Sequence, residues 1–284
     1  MVVKMTQTDN PLRKYFRQPA IHLKLPSGGK FYPPGTLDLP PNGEVPIYPM
    51  TAVDEIITRT PDALFNGSAV PDIIKSCVPN IRDPWAMPAV DINSLLAAVR
   101  LASYGHDMEV STTCPKCGHV HAATIDLRQV LDTMGMPDYD TPLLISDMTL
   151  YFAPMNYRQI NDVSRVQYED QKIMQMVNDS ELSEEEKIVR LGEAFKRITK
   201  LTVRSIAGSV AAIKTDDAMV TDIVQIEEFL LNCPKNVFEQ VKDYTIKLRS
   251  ATDIPPVSMT CPECHNQYKQ EFTLDMSNFF ETAS

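Results

Sequence analysis

Four cysteines arranged as two Cys-x-x-Cys pairs are the residues of this sequence best suited to chemistry. Cys114 and Cys117 form the first pair, and Cys261 and Cys264 form the second. Two residues between the cysteines let both sulfurs of a tight turn face one point, and two such turns supply the tetrahedral thiolate set that zinc accepts. The spacing therefore predicts one structural zinc ion bound by four cysteines, with no coordination position left for water.

The two pairs lie in an internal repeat. Both segments, STTCPKCGHVHAATIDL and SMTCPECHNQYKQEFTLD, contain Thr-Cys-Pro-x-Cys followed by strand-like alternation, with His121 or Tyr268 four residues after the second cysteine. The pairs are far apart, since 143 residues lie between Cys117 and Cys261. Closing such a loop costs about 4–5 kcal/mol of chain entropy. Zinc binding, at roughly 10–16 kcal/mol in zinc-finger peptides, exceeds that cost.

Three other interpretations of the cysteines fit the sequence less well. A thioredoxin-like redox pair is followed directly by a helix, whereas strand-like residues follow both pairs here. Four unrelated structural cysteines do not account for the repeated TCPxC. A histidine ligand could replace a cysteine, but four thiolates already complete the site, so His119, His121 and His265 are expected at the surface or next to the ligands. Cys77 and Cys233 are expected to be reduced, buried apolar residues.

Composition favours a soluble globular protein that stays in the cytosol. The chain has 284 residues, of which 43% are apolar and 23% charged. No apolar run approaches the ~20 residues that cross a bilayer, and no apolar secretory signal stands at the start, so no membrane span is expected. The net charge of −10 argues against nucleic acid as the main partner, because phosphate binding needs concentrated lysine and arginine.

The first thirty residues are locally basic. Asp9 is their one acidic residue, against six basic ones: Lys4, Arg13, Lys14, Arg17, Lys24 and Lys30. Residues 1–20 are predicted to form a mobile, solvated basic arm. An arm that docks on an acidic partner through its charges and a few apolar side chains stays open as an alternative.

The remaining chain divides into three predicted regions. Residues 21–154 contain a β region, helices and the first zinc knuckle; residues 155–250 form a helical insertion; residues 251–284 contain the second knuckle, a strand and a C-terminal tail. The predicted fold class is α+β: a small β, zinc-ribbon-like module closed by two distant CxxC knuckles, with a large helical insertion.

Several local signals predict where elements begin and end. The Asn-Gly of PPNGEV predicts a tight hairpin, and LPSGGKFY predicts two strand ends around a Gly-Gly turn. Capping boxes are expected where Thr51 precedes Asp54 and where Ser183 precedes Glu186. Asp91 is expected to cap the helix DINSLLAAVRLASYG.

No catalytic motif rises above background, and the protein is predicted not to be an enzyme. P-loop, GxGxxG, HExxH and GxSxG patterns are lacking. Asp138, Asp140 and Asp147 are expected to be turn formers and solvated charges. Trp85 is expected to be a half-buried structural residue, with an interface anchor as the alternative.

Several segments in a fixed order resemble a known family. LKLPSGGKFY, PMTAVDEIITRTPDALFNG, SCVPNIRDPWAMPAVDINSLLAAVRLASYGHDMEV and TTCPKCG, spanning roughly residues 20–125, are similar to the T-even-type bacteriophage baseplate hub and hub-assembly proteins. The resemblance implies a myovirus tail protein made in the cytoplasm of the infected bacterium. It also implies other baseplate or hub proteins as partners.

Three functions follow as hypotheses. The leading one is a zinc-containing assembly protein for the baseplate hub, with SGGKFYPP and TPDALFNG as candidate partner contacts or, alternatively, as turns that fix the fold. The second is a zinc-ribbon regulator that binds nucleic acid, although few positive charges surround the knuckles. The third is a permanent structural subunit of the mature baseplate in the virion.

Overall fold

The computed structural model describes residues 10–271 apart from 59, 61–62, 64–65, 180–182 and 252–253. The strands are β1 (Ile21–Lys24), β2 (Glu44–Ile47), β3 (Asp107–Thr113), β4 (Val120–Asp126), β5 (Leu143–Ile145), β6 (Met148–Phe152), β7 (Val210–Lys214), β8 (Met219–Val220), β9 (Val257–Thr260) and β10 (Gln267–Gln270). The helices are α1 (Ala52–Thr58), α2 (Ala69–Cys77), α3 (Ala89–Tyr104), α4 (Leu127–Thr133), α5 (Tyr157–Asp179), α6 (Glu184–Ala207), α7 (Ile223–Asn232) and α8 (Lys235–Ser250).

The pairing of these strands is antiparallel throughout. β1 pairs with β2, β3 with β4, and β9 with β10, while β5, β6, β7 and β8 form one four-stranded sheet in that order. The helices pack against these small sheets. The predicted α+β class is therefore confirmed.

A first apolar cluster joins the N-terminal half of the chain to its C-terminal segment. It includes the fully buried Ile73 and Leu95 from helices α2 and α3, together with Ile125 from β4. Ile254 and Met259, which lie beyond α8 in the sequence, are buried in the same cluster. The second Cys-x-x-Cys is thereby returned to the region that holds the first.

A second apolar cluster lies in the chain between the two knuckles. Leu150 and Phe152 of β6 pack there with Ile206 of α6, Ile226 of α7 and Val241 of α8. The sequence placed β5 and β6 ahead of the insertion, but their apolar side chains belong to this cluster. The segment predicted to be helical also contains the strands β7 and β8, so it is a helix-and-sheet unit.

The helix α3 starts differently from the expectation for Asp91. It begins at Ala89 after Pro88, so Asp91 lies inside its first turn and does not cap it. The Asp91 carboxylate is buried and accepts hydrogen bonds from the Ser27 backbone N–H at 2.8 Å and the Ser27 hydroxyl at 2.6 Å. The Asp91 side chain is thus hydrogen-bonded to Ser27, which is 64 residues away in the sequence.

This contact also changes the expectation for the Pro- and Gly-rich β region. Ser27 and the phenol oxygen of Tyr32 are buried, so the SGGKFY segment is a turn fixed against α3. No strand directly follows that turn in the described chain. The Asn-Gly hairpin prediction is also wrong, because β2, which follows Gly43, pairs with β1, with Ile21 opposite Ile47.

Both predicted capping boxes are confirmed. At α1, the Asp54 carboxylate accepts from the Thr51 backbone N–H at 2.7 Å and from the Thr51 hydroxyl at 2.8 Å. At α6, the Ser183 N–H donates to the Glu186 carboxylate, and the Glu186 N–H donates to the Ser183 hydroxyl. These bonds pair N–H groups that have no partner inside a helix.

Arg17, at the end of the predicted arm, is bound to the folded body. Its guanidinium donates to the Pro49 carbonyl at 2.6 Å, the Ser76 carbonyl at 2.7 Å and the Ser76 hydroxyl at 2.8 Å. It also pairs with the Asp54 carboxylate at 3.2 Å, and Asp54 is only 3% exposed. Arg17 therefore neutralises a buried charge and links the segment before β1 to α1 and α2.

Candidate metal centre

The two knuckles have the same local structure. Each Cys-x-x-Cys connects an antiparallel pair, β3 with β4 and β9 with β10. In the first knuckle the Cys114 N–H donates to the His119 carbonyl at 2.9 Å. In the second, the Cys261 N–H donates to the Asn266 carbonyl at 3.0 Å. The sequence repeat is thus a structural repeat of the two halves of the candidate metal site.

The residue after each second cysteine adopts a left-handed backbone. Gly118 has φ 71° and His265 has φ 55°, and the N–H of each donates to the carbonyl of the first cysteine of its own pair. This turn brings the two sulfurs of a pair to one side. Glycine adopts it without strain, whereas a residue with a Cβ does so at a cost.

The fold gathers the four predicted cysteines into one cluster. The sulfurs of Cys114 and Cys264 are 3.7 Å apart, as are those of Cys117 and Cys261. All four lie within 4.8 Å of one another. Tetrahedral zinc with Zn–S bonds near 2.3 Å needs sulfur–sulfur distances of about 3.8 Å, so the cluster fits such an ion.

The cluster lies at the edge of the first core. Cys114 and Cys261, the first cysteine of each pair, are buried, whereas Cys264 is half-buried and Cys117 is exposed. The buried pair is anchored by β3 and β9, whose side chains Met108 and Met259 are in the first apolar cluster. One side of the cluster therefore rests on the core and the other reaches the surface.

The electrostatics of the cluster suit a cation. Burial opposes ionisation of Cys114, but N–H groups of Cys117 and Lys116 and the neighbouring thiols outweigh it and lower the pKa of Cys114 to about 6. A hydrogen bond from His119 favours the Cys117 thiolate, yet desolvation and the other three thiols raise the pKa of Cys117 to about 12. Four sulfurs this close ionise together only around a positive charge.

Side-chain contacts hold the knuckles together beside the cysteines. The buried Thr112 of β3 has its hydroxyl 3.2 Å from the Tyr268 hydroxyl and donates to the Gln270 amide oxygen at 2.8 Å. His121 lies edge-on to Tyr268, and its ring stacks at 5.8 Å on that of His119. His119 and His265 are exposed, and no histidine of the described chain joins the four-cysteine group.

Other residues singled out from the sequence lie away from this cluster. Cys77 is fully buried, while Cys233 is half-buried beside the second core. Asp138 forms a turn by accepting from the hydroxyl and N–H of Thr141, and these bonds lower its pKa. Trp85 is half-buried, 5.5 Å from the Tyr157 ring.

Much of the TPDALFNG segment lies outside the described residues. At its end, the Gly67 carbonyl accepts a hydrogen bond from Tyr157 at 2.8 Å. The Asn66 carbonyl accepts from Asn161 at 3.0 Å. These contacts tie the end of the segment to α5.

The fold and the site define an α+β protein with a candidate four-cysteine metal centre between two distant knuckles. No helix in the described part of the chain is long and apolar enough to cross a membrane. The family model of the T4 bacteriophage base plate protein matches residues 18–281, and the chain belongs to this family. This confirms the resemblance drawn from residues 20–125. No curated protein and no solved structure matches the chain.

Proposed function

We propose that this chain is a non-enzymatic protein that promotes assembly of the central hub of a contractile-tailed phage baseplate. The observation that carries the proposal is the family match over residues 18–281. The sequence resemblance to hub and hub-assembly proteins narrows it from the baseplate to the hub. The protein acts in the cytoplasm of the infected bacterium, and its partners are other baseplate or hub proteins.

Zinc is the ion proposed for the four cysteines. Soft thiolates in a tetrahedral set select zinc or iron over hard cations such as magnesium. Cys114, Cys117, Cys261 and Cys264 fill all four positions, so the ion has a structural role and no site for substrate. Elemental analysis of the folded chain tests this directly. One zinc per chain is expected, and a stoichiometry well below one refutes the site.

The centre serves the proposed function by fixing the two ends of a long insertion. β3 and β4 approach it from the N-terminal half, and β9 and β10 approach it from the C-terminal segment. The unit between them, from β5 to α8, therefore follows Val130 and precedes Ile254, which are both buried in the first core. Such a frame holds protein-binding surfaces in a constant relative position.

The decisive experiment compares infected cells with purified virions. An affinity tag on the chain, followed by mass spectrometry of captured complexes, is expected to recover hub or other baseplate proteins. Capture of no baseplate protein contradicts the proposal. Detection of the chain in purified virions distinguishes a permanent subunit from a transient assembly factor. Salt-dependent binding to DNA or RNA supports the regulator alternative instead.

A further inference from the structure

Helix α6 carries large apolar side chains that point into solvent. Ile188 is 69% exposed, Val189 61% and Phe195 58%. The neighbouring strip of the helix packs against its own chain, and there Ala194 is fully buried and Leu191 and Ile198 are half-buried. The exposed side chains are therefore additional to the face that this chain already uses.

Two of these exposed residues, Ile188 and Phe195, form a stripe with a small residue near its centre. Ile188 and Phe195 are seven residues apart, which places them about 20° from each other around the helix. Gly192 lies between them on the same side, and a Cβ built there meets no atom within 4 Å. Exposed isoleucine and phenylalanine around an open glycine give a surface that a second helix can approach closely.

Charges flank this stripe in a definite order. Glu185 and Lys196 are eleven residues, or just over three full turns, apart, so they lie along one line beside the stripe. Lys200 follows Lys196 by about one turn, and the side chains of all three are exposed. The N-terminal end of the stripe is thus acidic, and the C-terminal end, which is nearer the residues of α6 buried in the second core, is basic.

We propose that α6 pairs antiparallel with α6 of a second copy of this chain, around a twofold axis close to Gly192. In that arrangement Ile188 of each copy lies opposite Phe195 of the other. Glu185 of each copy comes within one turn of Lys196 of the other. In a parallel pairing, the flank of one helix that carries Glu185 and Lys196 lies on the far side of the interface from the same flank of the other copy. The Glu185–Lys196 pairs therefore form only in the antiparallel arrangement.

The position of the stripe along α6 agrees with this pairing. The twofold axis pairs residues 184–199 of the two helices with each other. Val203, Ile206 and Ala207, which are buried in the second core, fall outside the overlap. The exposed half of the helix is therefore the half that the second copy covers.

Sedimentation equilibrium of the zinc-loaded full chain tests the proposal. The wild-type chain is expected to be a dimer, and a monomer at about 100 µM overturns the proposal. Phe195→Glu removes a central apolar contact and is expected to raise the dimer dissociation constant by roughly thirtyfold or more. Ile246→Glu, on the 54%-exposed Ile246 of α8, is the matched control and is expected to leave the constant unchanged.

A charge exchange separates the proposed contact from a loss of folding. Glu185→Lys alone and Lys196→Glu alone each create two repulsive pairs in a dimer and are expected to be monomeric. An equimolar mixture of the two variants restores both attractive pairs, so a heterodimer is expected. Dimers of either variant alone at wild-type strength, or a mixture that stays monomeric, overturn the proposal.

Discussion

Tyr268 and His121 meet between the two knuckles, with the Tyr268 hydroxyl 3.4 Å from Nε2 of His121. Each stands four residues after the second cysteine of its own knuckle, so the contact joins equivalent positions of the sequence repeat. The two half-sites are therefore related by structure as well as by sequence. A contact of this kind aligns the knuckles independently of the ion.

Replacing one buried cysteine is expected to remove the metal. In Cys114→Ser the zinc content should fall well below one per chain, because a serine hydroxyl is not ionised at neutral pH. The thermal midpoint should drop by roughly 10 °C or more as the two ends of the first core lose their link. Elemental analysis and calorimetry measure these effects. Cys233→Ser is the control, and loss of zinc there contradicts the ligand assignment.

The knuckle turns predict a stabilising substitution. His265→Gly removes the strain of a Cβ in a left-handed backbone conformation and is expected to raise the free energy of unfolding by about 0.5–1 kcal/mol. Gly118→Ala, at the equivalent position, is expected to lower it by about 1 kcal/mol. No atom crowds a Cβ at Gly118, so that cost reports the backbone alone. Urea unfolding with zinc in excess measures both, and a destabilised His265→Gly contradicts the explanation.

Arg17, in the short segment before β1, is expected to contribute strongly to the stability of the fold. Arg17→Ala leaves the carboxylate of Asp54 buried without its charge partner, which costs about 3–5 kcal/mol when such a pair is broken. Lys14→Ala, in the same segment but exposed, should change stability by less than about 0.5 kcal/mol. Adding Asp54→Asn to Arg17→Ala should recover part of the loss. Equal effects of the Arg17 and Lys14 variants in urea unfolding rule this role out.

Asp91 predicts a pH dependence of definite sign. Burial raises the pKa of Asp91, although hydrogen bonds from Ser27 oppose the shift. The contribution of Asp91 to the free energy of unfolding is therefore fully present below its pKa in the unfolded chain, about 4. It declines as the pH rises through the pKa in the folded chain. The free energy of unfolding of wild type, relative to that of Asp91→Asn, should therefore fall as the pH rises above about 4. A difference that stays constant with pH in urea unfolding excludes this origin.

Elements coded by neighbouring residues were predictable from the sequence. The strand–knuckle–strand units, the capping boxes and the cysteine cluster all follow from residues within a few positions of one another, or from a repeat. The role of Asp91 was not predictable, because an aspartate near a helix start looks like a cap and its partner Ser27 is distant in sequence. Arg17 was missed for the same reason. Its three anchoring segments meet only after the first core forms.

The placement of β5 and β6 was hidden for a different physical reason. β7, the partner of β6, follows two long helices, and short strands show no preference for one core over another until that partner is in place. Pairing of β2 with β1 was likewise decided by which faces are buried, since Val45 and Ile47 are fully inside. The Asn-Gly signal describes a local turn and carries no such information.

The wide separation of the two knuckles has a consequence for protein synthesis. The first half-site leaves the ribosome 143 residues ahead of the second. At 5–20 residues per second, roughly 7–30 s pass before the ion can gain its last two ligands. A chain that stops early, or whose middle unit fails to fold, never completes the coordination sphere. Under the proposed zinc assignment, complete metal binding thus requires that translation has passed Cys264, beyond the whole segment between the knuckles.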